Sequence, residues 1–232
     1  MGLSLPSICC MGAGMSDISQ LDTQLETLPP PWRLALAYAP REAREAWLSF
    51  LALDVRLAGV VRAAREPMLG QMKLAWWRDR LNADPATWPK GEPLLAMLKS
   101  WGEHARGLVP LVDGWEVLLD EWDGGAALES LTQGRVAGVE ALARVLGVSH
   151  DRIAPMTRCW AAMDLASHLG DPAEREAAMA KVTALDWRAG RLPKAMRPLT
   201  VLHGLAWRES KGGDAASPMA LLSAMRLGIF GM

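Results

Sequence analysis

The chain has 232 residues, half of them hydrophobic, and a formal net charge of −1. That is enough for one large globular domain or two small ones with a sizeable core. It carries none of the basic excess of a nucleic-acid binder. No uncharged apolar run reaches the roughly eighteen residues of a transmembrane helix. Alanine, leucine and methionine abound while isoleucine is rare, a balance that favours helices over strands. Cys9 and Cys10 are adjacent and cannot readily bridge, and Cys159 stands alone, so the cysteines form no framework. The usage reads as a reducing, cytosolic setting.

In chain order, residues 1–30 read as a disordered or extended arm closing at LPPPW (Leu28–Trp32). Met1–Ser16 is uncharged, broken by Pro6, Gly12 and Gly14, and preceded by no basic residue, which makes a poor signal peptide. Pro6 stands where a myristoylation signal after Gly2 requires Ser or Thr. Met15, opening MSDISQLDTQ, is the expected true start. Residues 31–209 form the expected domain. Its helical stretches run from about Arg41 to Arg65, Pro67 to Asn82, Leu94 to Arg106, Pro110 to Trp122, Ala126 to Leu146, Arg152 to Leu169, Pro172 to Trp187 and Pro193 to Glu209. Ala83–Pro93 reads as a loop. Pro67 and Pro172 suit first helical positions, Asp171 suits an N-cap, and Gly147 suits a helix C-terminus.

Residues 210–232 read as a flexible linker, Ser210–Pro218, and a short amphipathic segment, Met219–Phe230. Apolar Leu221, Leu222, Met225 and Phe230 beside a lone Arg226 suit peripheral contact with a membrane, a partner, or docking on the chain's own domain. No repeat and no long alternating pattern is present, so one all-α domain is the economical reading.

The segment Glu66–Leu81 carries the most information. At about 100° per residue, Met68, Leu69, Met72, Ala75 and Trp76 form one apolar arc, and Leu74, Trp77 and Leu81 a second on nearly the opposite side. Two polar stripes lie between them, Lys73 with Arg80 and Gln71 with Arg78. Two apolar faces predict a helix sandwiched in the interior. Its cations would either snorkel and form structural ion pairs or recognise an anion such as phosphate.

Glu66-Pro67, Leu69-Gly70, Leu74 and Trp76-Trp77-Arg78-Asp79 resemble the EP-LG-E-RL-WWRD signature of the squalene/phytoene synthase family, in its short bacterial branch. Gln71 stands where a glutamate is usual and Lys73 where an arginine is usual. Weaker similarity extends through Leu111–Leu119, Gly134–Gly147 and Leu192–Ala206. The resemblance implies an isoprenoid-synthase-like helical bundle around a central apolar cavity. It also implies head-to-head condensation of prenyl diphosphates, with Mg²⁺ held by two aspartate-rich motifs on facing helices. Ionising a diphosphate needs such ions, and carboxylates at i and i+4 share the helix face that binds them.

Both motif positions are degenerate. In Leu48–Val61 only Asp54 is present, with Ala58 four residues on; in Arg158–Asp171, Asp164 is followed at i+4 by His168. These remnant acids sit on apolar faces, where a lone carboxylate is costly unless paired or protonated. Three outcomes stay open: pairing with Lys73, Arg78 or Arg80, a retained polar ligand pocket, or a weak residual metal site. Lys73, Arg78, Arg80, Gln71 and Trp77 are the substrate-binding candidates.

No confident catalytic residue, metal site or cofactor is assigned; Mg²⁺ enters only if the prenyltransferase alternative holds. His104, His150, His168 and His203 are scattered, and no G-x-S-x-G elbow occurs. Trp76, Trp77, Trp115 and Trp160 are either core or lining of a prenyl cavity. The expected function is that of a pseudoenzyme, a non-catalytic binding or assembly protein with a protein partner, as in the mitochondrial complex I assembly factors that share the signature and lack the aspartates. The alternatives are an active phytoene- or squalene-type transferase and a carrier of an isoprenoid or lipid ligand. The expected location is cytoplasmic, with peripheral membrane association in reserve.

Overall fold

The computed structural model describes residues 22–119, 125–213 and 218–230. Every regular element among them is helical, and the expected all-α class is what the structure shows. The helices are α1 (residues 22–27), α2 (Pro30–Ala37), α3 (Arg41–Ala63), α4 (Pro67–Asn82), α5 (Pro93–Leu98), α6 (Val109–Glu116), α7 (Gly125–Val145), α8 (Ile153–Ser167), α9 (Pro172–Thr183), α10 (Arg197–Ser210) and α11 (Pro218–Phe230). None of them is long and apolar enough to cross a membrane. The reading of Met15 as the start lies outside the described residues, as does 214–217 of the expected linker.

The boundaries with local chemistry fall where that chemistry puts them. Pro67 and Pro172 open α4 and α9, and Asp171 accepts from the backbone N–H of Ala173 and Glu174 at 2.9 Å each. After α7, Gly147 takes φ +63° while its N–H reaches Arg144 O and that of Val148 reaches Ala143 O. These are the paired bonds of a Schellman ending, which glycine permits without a Cβ penalty.

Other boundaries differ from the expectation. The predicted helix after Pro93 is not continuous: α5 ends at Leu98, a 3₁₀ stretch, Lys99–Leu108, follows it, and Gly102 (φ +54°) kinks that stretch. α9 stops at Thr183, four residues short of Trp187, whose indole N–H folds back onto Val182 O at 3.0 Å. The described end of the expected arm is not extended either. Residues 22–27 are helical, Pro30 starts α2, and Gln24, Leu28 and Trp32 are buried. Prolines that read as breakers here sit at a helix N-terminus, where the missing N–H costs nothing.

α7 is the axis of the core. It packs against α6 and α8 and also touches α3 and the 3₁₀ stretch before α6. Its approach to α6 depends on Gly134, where a Cβ would stand 2.5 Å from Pro110 O and 3.0 Å from Leu111 Cα. α10 closes the other side of α8 and carries α11, whose Ala224 is buried while Leu222, Met225 and Ile229 stay exposed.

α4 corrects the sequence reading. Leu74, Trp77 and Leu81 are buried as expected, but the second arc faces solvent: Met68 is 70% exposed, Met72 64%, Leu69 51% and Trp76 39%. The helix packs on α3, α6 and the 3₁₀ stretches flanking α6, and its buried residues, Gly70, Leu74, Trp77 and Leu81, share one face. Its periodicity reports two apolar arcs, and periodicity alone does not say that both have neighbours.

Candidate functional site

Asp54 sits in the middle of α3, where Leu51, Leu57 and Ala58 of the same face are buried. Its side chain is wholly inaccessible to solvent. Asp164 projects from α8 and is less enclosed, with 18% of its side chain exposed. Between them stands Arg135 of α7, 3% exposed, with Nε 2.8 Å from Asp54 Oδ2 and Nη1 2.6 Å from Asp164 Oδ2. The contact to Asp164 is aligned as a hydrogen bond; the contact to Asp54 is an ion pair without that alignment. The second Asp54 oxygen, Oδ1, accepts from the indole N–H of Trp115 at 2.7 Å.

Three indoles enclose the guanidinium. Its carbon lies 5.3 Å from the ring centroid of Trp32, 5.5 Å from that of Trp160 and 5.9 Å from that of Trp115. Trp32 and Trp160 meet edge to face at 5.5 Å. Each ring offers the cation the negative side of its quadrupole in surroundings with little water. Burial still holds the Asp54 carboxyl above its ordinary range, although Arg135 and the Trp115 N–H pull it down. Arg135 is held further above its usual value by Asp54 and then Asp164, against the effect of burial.

The bridge forms the floor of a cavity of about 370 Å³. Val55, Ala58, Leu128, Leu131 and Leu165 make its walls, while the exposed Thr27, Arg62 and His168 mark its mouth. A volume of this size, apolar with a few convergent polar groups, has the character of a small-molecule pocket.

The sequence candidates divide sharply. Asp54 and Asp164 share the cavity, but none of the three cations expected to pair with them does so. Arg78 instead bonds Asp113 at 2.7 Å and Glu116, both on α6. Lys73 is exposed and lines shallow grooves beside α3, and Trp77 is packed in the core away from the cavity. Arg80 and Gln71 are half-buried on α4 and line no part of the cavity. Of the four tryptophans singled out, Trp115 lines the cavity, Trp160 packs on Arg135, and Trp76 lies on the surface.

Sequence reading missed Arg135 and Trp32. Arg135 is flanked at i±3 and i±4 by Leu131, Thr132, Gly138 and Val139, all buried. A cation on an apolar helix face is a signal of the kind that Asp54 also leaves on α3. Trp32 was hidden by the prolines before it.

The donor set does not suit Mg²⁺. That ion wants a near-octahedral oxygen shell at about 2.0–2.1 Å, whereas the two carboxylates here already hold one guanidinium between them. Among the described residues no group of three or more His, Cys, Asp and Glu side chains comes together to hold a metal. Comparison of the chain with protein-family models, with curated proteins and with solved structures returns no match in any of the three.

Proposed function

We propose that the chain is a non-catalytic protein of squalene/phytoene synthase type, whose cavity binds an apolar, chain-like molecule without transforming it. The carrying observation is Arg135, set between the acids that stand in the two degenerate motif positions. On this reading, a fixed guanidinium takes the place where an active member of that family would hold exchangeable cations. It neutralises one carboxylate's charge, and it cannot bridge to a diphosphate without leaving Asp54 buried and unpaired.

The cavity supports the binding half of this reading. Its apolar walls suit an isoprenoid or acyl chain, and Arg62 at the mouth suits a polar or anionic head.

Native mass spectrometry of the freshly purified protein tests this reading. The expected result is a bound long-chain lipid or prenyl alcohol, released on denaturation, and lost when Leu131→Trp fills the cavity. A protein that is always ligand-free, fails to take up added geranylgeraniol and instead retains a stoichiometric protein partner would replace the binding role by an assembly role.

A further inference from the structure

α4 carries an apolar stripe that no other described residue covers. Met68, Leu69, Met72 and Trp76 occupy its first two and a half turns, and exposed Asp79 ends the stripe. The stripe is flanked by cations. Arg62 near the end of α3, Arg65 in the connection and Lys73 on α4 are all exposed, while Glu66 is the acid among them. Arg56, a little further along α3, is matched by Glu92 at 3.4 Å.

This corner also adjoins the cavity. Thr27 and Arg62 belong both to the cavity mouth and to a groove with Arg56, Val60 and Lys73; those three in turn line a second groove that reaches Trp76. A continuous surface therefore runs from the stripe to the opening.

We propose that the α3–α4 corner is a docking face for an anionic lipid surface. Met68, Leu69, Met72 and Trp76 enter the headgroup region, and Arg62, Arg65 and Lys73 meet lipid phosphates. Indole, thioether and leucine side chains beside basic residues are the composition that partitions to such an interface. A lipid surface needs no shape complementarity, which suits a short convex stripe. A second copy of the chain fits less well. The stripe is only about 12–13 Å long at 1.5 Å per residue, little against the area a stable dimer buries. A two-fold contact through it would also crowd both sets of cations around one small patch.

The assignment does not depend on which molecule the cavity holds, and its test reads docking alone. The full chain is floated with vesicles of phosphatidylcholine, with and without phosphatidylglycerol, at low and raised salt. It should rise with the phosphatidylglycerol vesicles and be released as salt increases. The variant Met68→Gln, Leu69→Gln, Met72→Gln and Trp76→Gln should lower the apparent affinity at least about tenfold while its thermal melt and circular dichroism stay those of the parent. Arg65→Glu with Lys73→Glu should remove the preference for phosphatidylglycerol.

A parent chain that stays below both kinds of vesicle would overturn the proposal. So would a glutamine variant that floats as well as the parent. Sedimentation velocity supplies the third adverse outcome: a dimer that the glutamine variant dissolves would make a second copy the occupant instead.

Discussion

Arg135 and Arg78 each hold two carboxylates, yet they occupy opposite extremes of environment. Arg135 is enclosed by three indoles and touches Asp54 and Asp164 with almost no solvent contact. Arg78, on the helix whose sequence is the most recognisable, reaches Asp113 and Glu116 at the surface, with 29% of its side chain exposed. Equal valence therefore does not mean equal consequence. In the interior, losing one partner strands a desolvated charge; at the surface, water and counter-ions replace it. The difference separates a group that defines the cavity floor from one that tethers α4 to α6.

The largest expected effect breaks the interior member. Arg135→Met should destabilise the protein by about 3–5 kcal/mol in urea unfolding, because Asp54 is left without a cation. Adding Asp54→Leu to the same chain should recover most of that loss, since two apolar side chains replace the stranded charge. If the double variant is no more stable than the single one, the bridge is not what makes Arg135 indispensable.

His203 sharpens the comparison, being buried with no carboxylate bonded to it among the described residues. Its ring packs at 5.6 Å from that of Trp187, and Nε2 has no partner among the described residues. Burial, followed by the nearby Arg152, lowers its pKa to about 4 from 6.5. A lowered folded-state pKa favours the fold while the ring is neutral in both states. That contribution is lost as pH falls from about 6.5 through about 4, where unfolding takes up the proton. Asp54 has the opposite sign, its raised carboxyl favouring the fold at low pH, so the informative quantity is a difference. Between pH 7 and pH 4, wild type should lose on the order of 2–3 kcal/mol more than His203→Gln. Parallel stability curves would show that His203 does not carry the slope.

The smallest effect tests the surface member. Arg78→Met should cost no more than about 1 kcal/mol, and that cost should shrink as salt is raised. A loss comparable with that of Arg135→Met would erase the distinction between the two arginines.

How much of this was legible follows from the kind of signal each feature leaves in the chain. α4 and α9 begin where Pro67 and Pro172 demand, and Asp171 and Gly147 act through bonds to their own neighbouring backbone. Asp54 and Asp164 stood out because they remain at the two motif positions that the resemblance implies, and each interrupts an apolar face. Arg135 interrupts one equally, but nothing local states which buried acid it meets 81 and 29 residues away in sequence. The stripe on α4 was misjudged for a related reason. Amphipathic spacing identifies apolar arcs, and the elements packed against α4 decide which of them is covered. Trp32 entered the cage because Pro29 and Pro30 open a helix where they resemble the end of a loop.

The central claim is that the Asp54–Arg135–Asp164 bridge stands in for metal-bound catalysis. Incubating the protein with geranylgeranyl or farnesyl diphosphate and excess Mg²⁺, and measuring pyrophosphate released over a no-enzyme control, tests it most directly. The account predicts no release above that control. Sustained Mg²⁺-dependent release, abolished by Asp54→Asn, would contradict it.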